Sequence, residues 1–142
     1  MGNKNLKQQI ILGLILVAVI ALVFFLTFQG PRETISLSEM VRAWAIRLGY
    51  NGDPLKFRSD FHIVEYFVVG IASAIFAKGM NWRAWIPGIF ASTIGLLDET
   101  IKIFLPTREF SGIDLLKDFC TVWAAILVVS LISNLMKRKV VE

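Results

Sequence analysis

Eight ionisable residues crowd positions 97–118, LDETIKIFLPTREFSGIDLLKD: Asp98, Glu99, Lys102, Arg108, Glu109, Asp114, Lys117 and Asp118. Strongly apolar runs flank the stretch on both sides. A second polar group, His62, Glu65 and Tyr66, interrupts another apolar run at 61–77. A histidine among desolvated carboxylates is chemistry for proton transfer. Lysine and arginine beside them are chemistry for holding phosphate or carboxylate, arginine bidentately. Ionisable groups at membrane depth are costly, and by default they mark a functional site with its partners.

The surrounding sequence sets that depth. Over 142 residues, hydrophobic types make up 56% and charged types only 18%. The length suits a single domain, 1–142. The apolar residues come in long blocks rather than an amphipathic rhythm, which predicts an all-α integral membrane protein. Four spans are expected, at about 10–28, 61–77, 84–105 and 119–136, packed as a bundle. The first is too long for the apolar core of a signal peptide and lacks a small-residue cleavage site, so it reads as an uncleaved span. Between spans one and two, Ser36 and Glu39 form a capping-box pattern. Leu37, Met40, Val41, Trp44 and Leu48 then share one face, predicting a short amphipathic helix over 36–48, lying in the membrane interface or over the bundle end.

Orientation follows from basic residues. Lys4, Lys7, Lys78, Arg83, Lys137, Arg138 and Lys139 concentrate in short segments at one side, which places both termini in the cytoplasm. The formal net charge of +4 is built from these clusters. That pattern fits membrane topology and not nucleic-acid binding. The lone Cys120 forms no intrachain disulfide, and no phosphate loop, dinucleotide fingerprint or nucleophile elbow occurs.

Counting from the cytoplasmic ends puts His62 roughly 6 Å, and Glu65 and Glu99 roughly 9–10 Å, below the outer boundary. The two polar clusters share a depth. His62, Tyr66, Gly70, Ser73 and Ala77 form one helical stripe; Gly88, Ser92, Gly95, Glu99 and Lys102 form another. Small residues let membrane helices approach closely, so the two stripes are expected to pack together. Asp114, Asp118, Thr121 and Ala125 add a third stripe. The expectation is one polar pocket opening outward, with 107–113 arching above it.

The pattern His62-x-x-x-Tyr66, then Asp98-Glu99-x-x-Lys102-x-Phe104-x-Pro106-x-Arg108, then Asp114, resembles the VanZ-like membrane protein family over about 58–129. Lys102 stands where that family usually has glutamine, Asp118 where asparagine is frequent, and Thr121 where glycine is common. The resemblance implies a small multi-pass protein of the bacterial cytoplasmic membrane and cell envelope, and a link to teicoplanin resistance, an antibiotic-resistance phenotype without an assigned reaction.

Three functional readings follow. In the first, His62, Tyr66, Glu99, Lys102, Arg108, Asp114 and Asp118 bind the polar or anionic head group of a membrane lipid, a lipid-linked wall precursor or a lipidated glycopeptide. In the second, His62, Glu65, Asp98 and Glu99 form an acid–base or metal-assisted hydrolytic site. One histidine with oxygen ligands is a weak zinc signature, which leaves a divalent ion such as magnesium as the alternative and no cofactor as the expectation. In the third, the polar residues are structural contacts between helices, as in an assembly protein, each worth about 1 kcal/mol in a bilayer.

Overall fold

A segment apolar on every side must satisfy its own backbone N–H and C=O groups, and a helix does so within the segment. The computed structural model describes residues 2–28, 31–51, 54–105 and 109–139, with side chains at 6–28, 39–51, 57, 60–105 and 109–136. Five helices, and among the described residues no strand, make up the chain: α1 (Gly2–Phe28), α2 (Pro31–Arg47), α3 (Pro54–Gly79), α4 (Ile86–Lys102) and α5 (Gly112–Lys139). Three carry stretches long and apolar enough to cross a membrane: Leu6–Phe28, Asp60–Gly79 and Gly112–Met136. α4 has 17 residues, slightly short of the ~20 that a perpendicular span needs.

Helix boundaries differ from the sequence reading for local reasons. The amphipathic helix begins at Pro31 rather than at the Ser36 capping box. Proline lacks the N–H that a first helical residue leaves unpaired, and its fixed φ suits that position. α3 likewise opens on Pro54, seven residues before the expected span. α5 opens at Gly112 and not at 119, because Ser111 caps it: its Oγ accepts the Asp114 N–H at 3.2 Å, the geometry of an N-cap hydroxyl. The Ser111-x-x-Asp114 pattern therefore belongs to a helix start, and Gly112 and Ile113 are helical rather than part of an arch. α4 is bounded by Trp85 and Lys102 instead of 84 and 105. Beyond Lys102, the N–H groups of Ile103, Phe104 and Leu105 donate three residues back at 3.0–3.2 Å, the tightened last turn common at helix ends.

The long helices alternate in direction. At one end Gln9 of α1 donates to the Gly79 carbonyl of α3 at 3.2 Å. Lys78 at that same end donates to the Val129 carbonyl of α5 at 2.8 Å and to the Ser133 hydroxyl. At the opposite end Thr27 of α1 meets Asp98 of α4. α3 is the central helix, packing most extensively on α5 and also on α1 and α4, and α2 packs on α3.

Small residues set these approaches, though not in the expected pairing. A Cβ at Gly70 would fall 2.8 Å from the Ala125 Cβ and 3.0 Å from the Val122 carbonyl of α5. A Cβ at Gly88 would lie 2.7 Å from the Trp123 indole, again on α5. On α4 it is Gly95 that faces α3, where its Cβ would sit 3.2 Å from the Tyr66 ring. The two stripes thus meet near their polar ends and otherwise turn to α5.

Burial is inverted relative to a water-soluble protein. Leu14, Val17, Leu127 and Leu131 are more than 60% exposed, while Asp98, Glu99 and Asp118 are at most 1% exposed. An apolar surface this continuous has no place in water; it matches three helices suited to hydrocarbon.

Gly70→Val is expected to lower stability by about 1–3 kcal/mol, the usual cost of overpacking a close contact. Gly112→Ala, whose Cβ meets only the Phe110 ring at 3.9 Å, should leave it unchanged. Thermal unfolding of the detergent-purified chain, followed by circular dichroism, compares the two.

Candidate functional site

The C-terminal turns of α4 carry the centre of the site. Spacings of three and four on one helix bring side chains onto a common face, so Lys102 reaches both Asp98 and Glu99. Its Nζ lies 3.2 Å from Asp98 Oδ2 and in direct contact with Glu99 Oε1. All three side chains are buried. Glu99 uses its other oxygen, Oε2, to accept the Ser111 backbone N–H at 3.0 Å. The cap of α5 is thereby tied to the ion pair of α4.

α3 supplies the histidine. His62 Nε2 lies 3.5 Å from Lys102 Nζ. Its Nδ1 faces Glu65 Oε2 at 3.5 Å and Asp118 Oδ1 at 4.0 Å. One turn deeper, Tyr66 stacks on the imidazole with ring centroids 6.3 Å apart. Tyr66 is fully buried and fills the space left by Gly95. α5 supplies Asp114, whose carboxylate pairs with Lys117 at 3.7 Å, and Asp118, one turn further in.

The structure thus assembles His62, Glu65, Tyr66, Asp98, Glu99, Lys102, Asp114 and Asp118 at one end of the bundle. Glu109 is exposed outside the cluster, and Arg108 lies outside the described residues. Lys102 and Lys117, read from the sequence as contacts for a phosphate or carboxylate, each face carboxylates of the chain itself.

Two further contributors were not assigned from the sequence. Thr27 of α1 places its hydroxyl against Asp98 Oδ1 and 3.0 Å from the Val23 carbonyl. One hydroxyl carries one proton, so it donates to either acceptor at a time. Thr27 is the single polar residue between positions 10 and 28, and that isolation is the signal which could have found it. Ser111 is the other; its signal is the cap pattern S-x-x-D.

Acids outnumber bases within the buried set. Asp98, Glu99 and Asp118 are buried acids and Lys102 is the buried base among the described residues. Neither oxygen of Asp118 has a hydrogen-bond partner among the described residues.

His62, Glu99 and Asp114 each offer one ligand atom within 4.8 Å of the others, a spacing compatible with a bound cation. The Lys102 ammonium reaches into the same space, touching Glu99 and standing 3.5 Å from His62. A second, divalent charge there would meet a cation already in place, so the residues do not fit a metal while Lys102 holds that position.

Alongside the charged end, α4 and α5 leave an open-sided groove of about 530 Å3. Ala91, Ser92, Gly95, Leu115, Phe119 and Trp123 line it, and Asp118 lies in its inner wall. Its size falls within the ~300–1,000 Å3 of small-molecule sites, and its lining is mostly apolar.

No protein-family model, curated protein or solved structure matches this chain.

Lys102→Met is expected to destabilise the protein by about 3–5 kcal/mol, because it leaves buried carboxylates uncompensated. Adding Glu99→Gln should recover part of that loss. Thr27→Val should cost about 1 kcal/mol, the scale of an interhelical hydrogen bond in a bilayer. Thermal unfolding of the four proteins orders them: wild type, Thr27→Val, the double variant, then Lys102→Met.

Proposed function

We propose that the chain is a four-span integral membrane protein whose charged end binds the polar head group of an amphiphile, with the apolar chain in the α4–α5 groove. The observation that carries this reading is the position of Asp118. It belongs both to the buried charged cluster and to the wall of the apolar groove. A site with one apolar and one charged compartment sharing a wall is complementary to a molecule with the same two parts.

In this reading α4 is the fourth spanning helix. Its 17 residues continue through the tight turn to Leu105, which brings its length near the ~30 Å of a hydrocarbon core. α2 lies in the interface, supported by the exposure of Met40, Trp44 and Leu48. The basic residues around Lys7, Lys78 and Arg83 face the cytoplasm, with Trp82 and Trp85 as interfacial anchors. The charged end then faces the outer leaflet. The VanZ-like sequence pattern supports a bacterial envelope setting, with a lipid, a lipid-linked wall precursor or a lipidated glycopeptide as partner.

One observation favours a second reading. Lys102 is satisfied by Asp98 and Glu99 without any ligand, as a purely structural cross-brace would be. The readings part on what the purified protein carries.

Native mass spectrometry of protein released gently from its membrane is expected to show a discrete bound mass. Ser92→Phe, which fills the groove, should abolish it, and Trp82→Phe at the far end should not. Protein that is bare in every preparation would favour the structural reading.

A further inference from the structure

A buried acid without a hydrogen-bond partner points to the head-group chemistry. Asp118 is 1% exposed and neither of its oxygens has a hydrogen-bond partner among the described residues. Buried carboxylates are otherwise paired, since an unpaired one forfeits its full hydration. The cations nearby do not serve it. Lys102 is taken up by Asp98 and Glu99 on α4, and His62 of α3 lies 4.0 Å away with Glu65 closer on the same nitrogen.

Two more groups of the same groove are also unsatisfied. The Ser92 hydroxyl and the Trp123 indole N–H are buried without a partner among the described residues, and both line the groove with Asp118. Their order in depth is given by neighbours across the groove. Gly95 stands against Asp118, and Gly88, two turns deeper on α4, against Trp123. The groove wall therefore contains an acid without a hydrogen-bond partner near its charged end and buried donors without partners further in.

We infer that the occupant is a lipid with a primary ammonium in its head group, the ammonium donating to Asp118 and a chain carbonyl accepting from Ser92 or Trp123. This deepens the amphiphile-binding reading and rests on it. A primary ammonium supplies both features that Asp118 lacks, positive charge and N–H donors. A quaternary ammonium supplies only the charge, and a glycerol head only donors. An anionic head group without an amine would set a second acidic group beside Asp118.

The test uses the full chain in detergent micelles, titrated with equal amounts of phosphatidylethanolamine, phosphatidylcholine and phosphatidylglycerol of matched acyl chains, and read by native mass spectrometry. Wild type should retain phosphatidylethanolamine about tenfold over either competitor, the scale of one charge-assisted hydrogen bond. Asp118→Asn should reduce that preference to about threefold or less while retaining lipid. The wild-type series alone decides the matter if the variant does not fold. Equal retention of the three lipids overturns the ammonium assignment and leaves amphiphile binding standing. Preference for phosphatidylglycerol also overturns it, in favour of an anion site. Wild type that retains no lipid overturns both.

Discussion

Lys102 holds the polar end of this protein together. Two carboxylates of its own helix close on its ammonium, and the same charge faces the imidazole of α3. Removing such groups from water costs several kcal/mol each, and an ion pair offsets that only with good geometry and further hydrogen bonds. The further bonds come from other helices. Ser111 of the α5 cap serves Glu99, and Thr27 of α1 serves Asp98. Each long helix is therefore bound to one α4 turn. The small residues along the remaining length, Gly70 against Ala125 and Gly88 against Trp123, let the backbones come close enough for these contacts to form.

The opposite end is built differently. There Gln9 and Lys78 join α1, α3 and α5 through backbone carbonyls and one hydroxyl, without a buried acid. The bundle is thus neutral glue at one end and a charged, incompletely satisfied cluster at the other. Neighbouring the cluster is a groove with four polar atoms, on three residues, unpaired by the described residues. Structural polar networks tend to be complete.

Much of the cluster was legible from periodicity. His62 and Tyr66 four apart, Asp98 and Lys102 four apart, and Glu99 between them determine which side chains share a face, and equal depth brings the faces together. The meeting of His62 with Lys102 agrees with those two facts, whereas Tyr66, expected to point towards Glu99 and Lys102, packs on Gly95. Partner choice along the rest of each stripe did not follow. Gly70 and Gly88 each offer a flat surface, and nothing in a glycine says which neighbour will occupy it. The all-helical architecture was legible, while four spans remains a proposal because α4 is short. Helix starts were missed where a proline or a serine cap acted earlier than the apolar pattern, as at Pro31, Pro54 and Ser111. Thr27 was passed over because α1 is apolar on all sides, so its sequence does not reveal which face turns inward.

The single proton of the Thr27 hydroxyl carries a consequence for the order in which the molecule is made. Before α4 exists, that proton has an acceptor within α1 itself, the Val23 carbonyl four residues back. Thr27 is thus satisfied within α1 before α4 is made. Asp98 is synthesised 71 residues later, on the shortest of the four helices that meet at this end. By then the threonine can turn its proton to the newcomer and His62 is already in place on α3. α4 then meets two waiting polar partners. The first helix serves in this sense as a template for the fourth, and the reach of one hydroxyl between two acceptors makes it so.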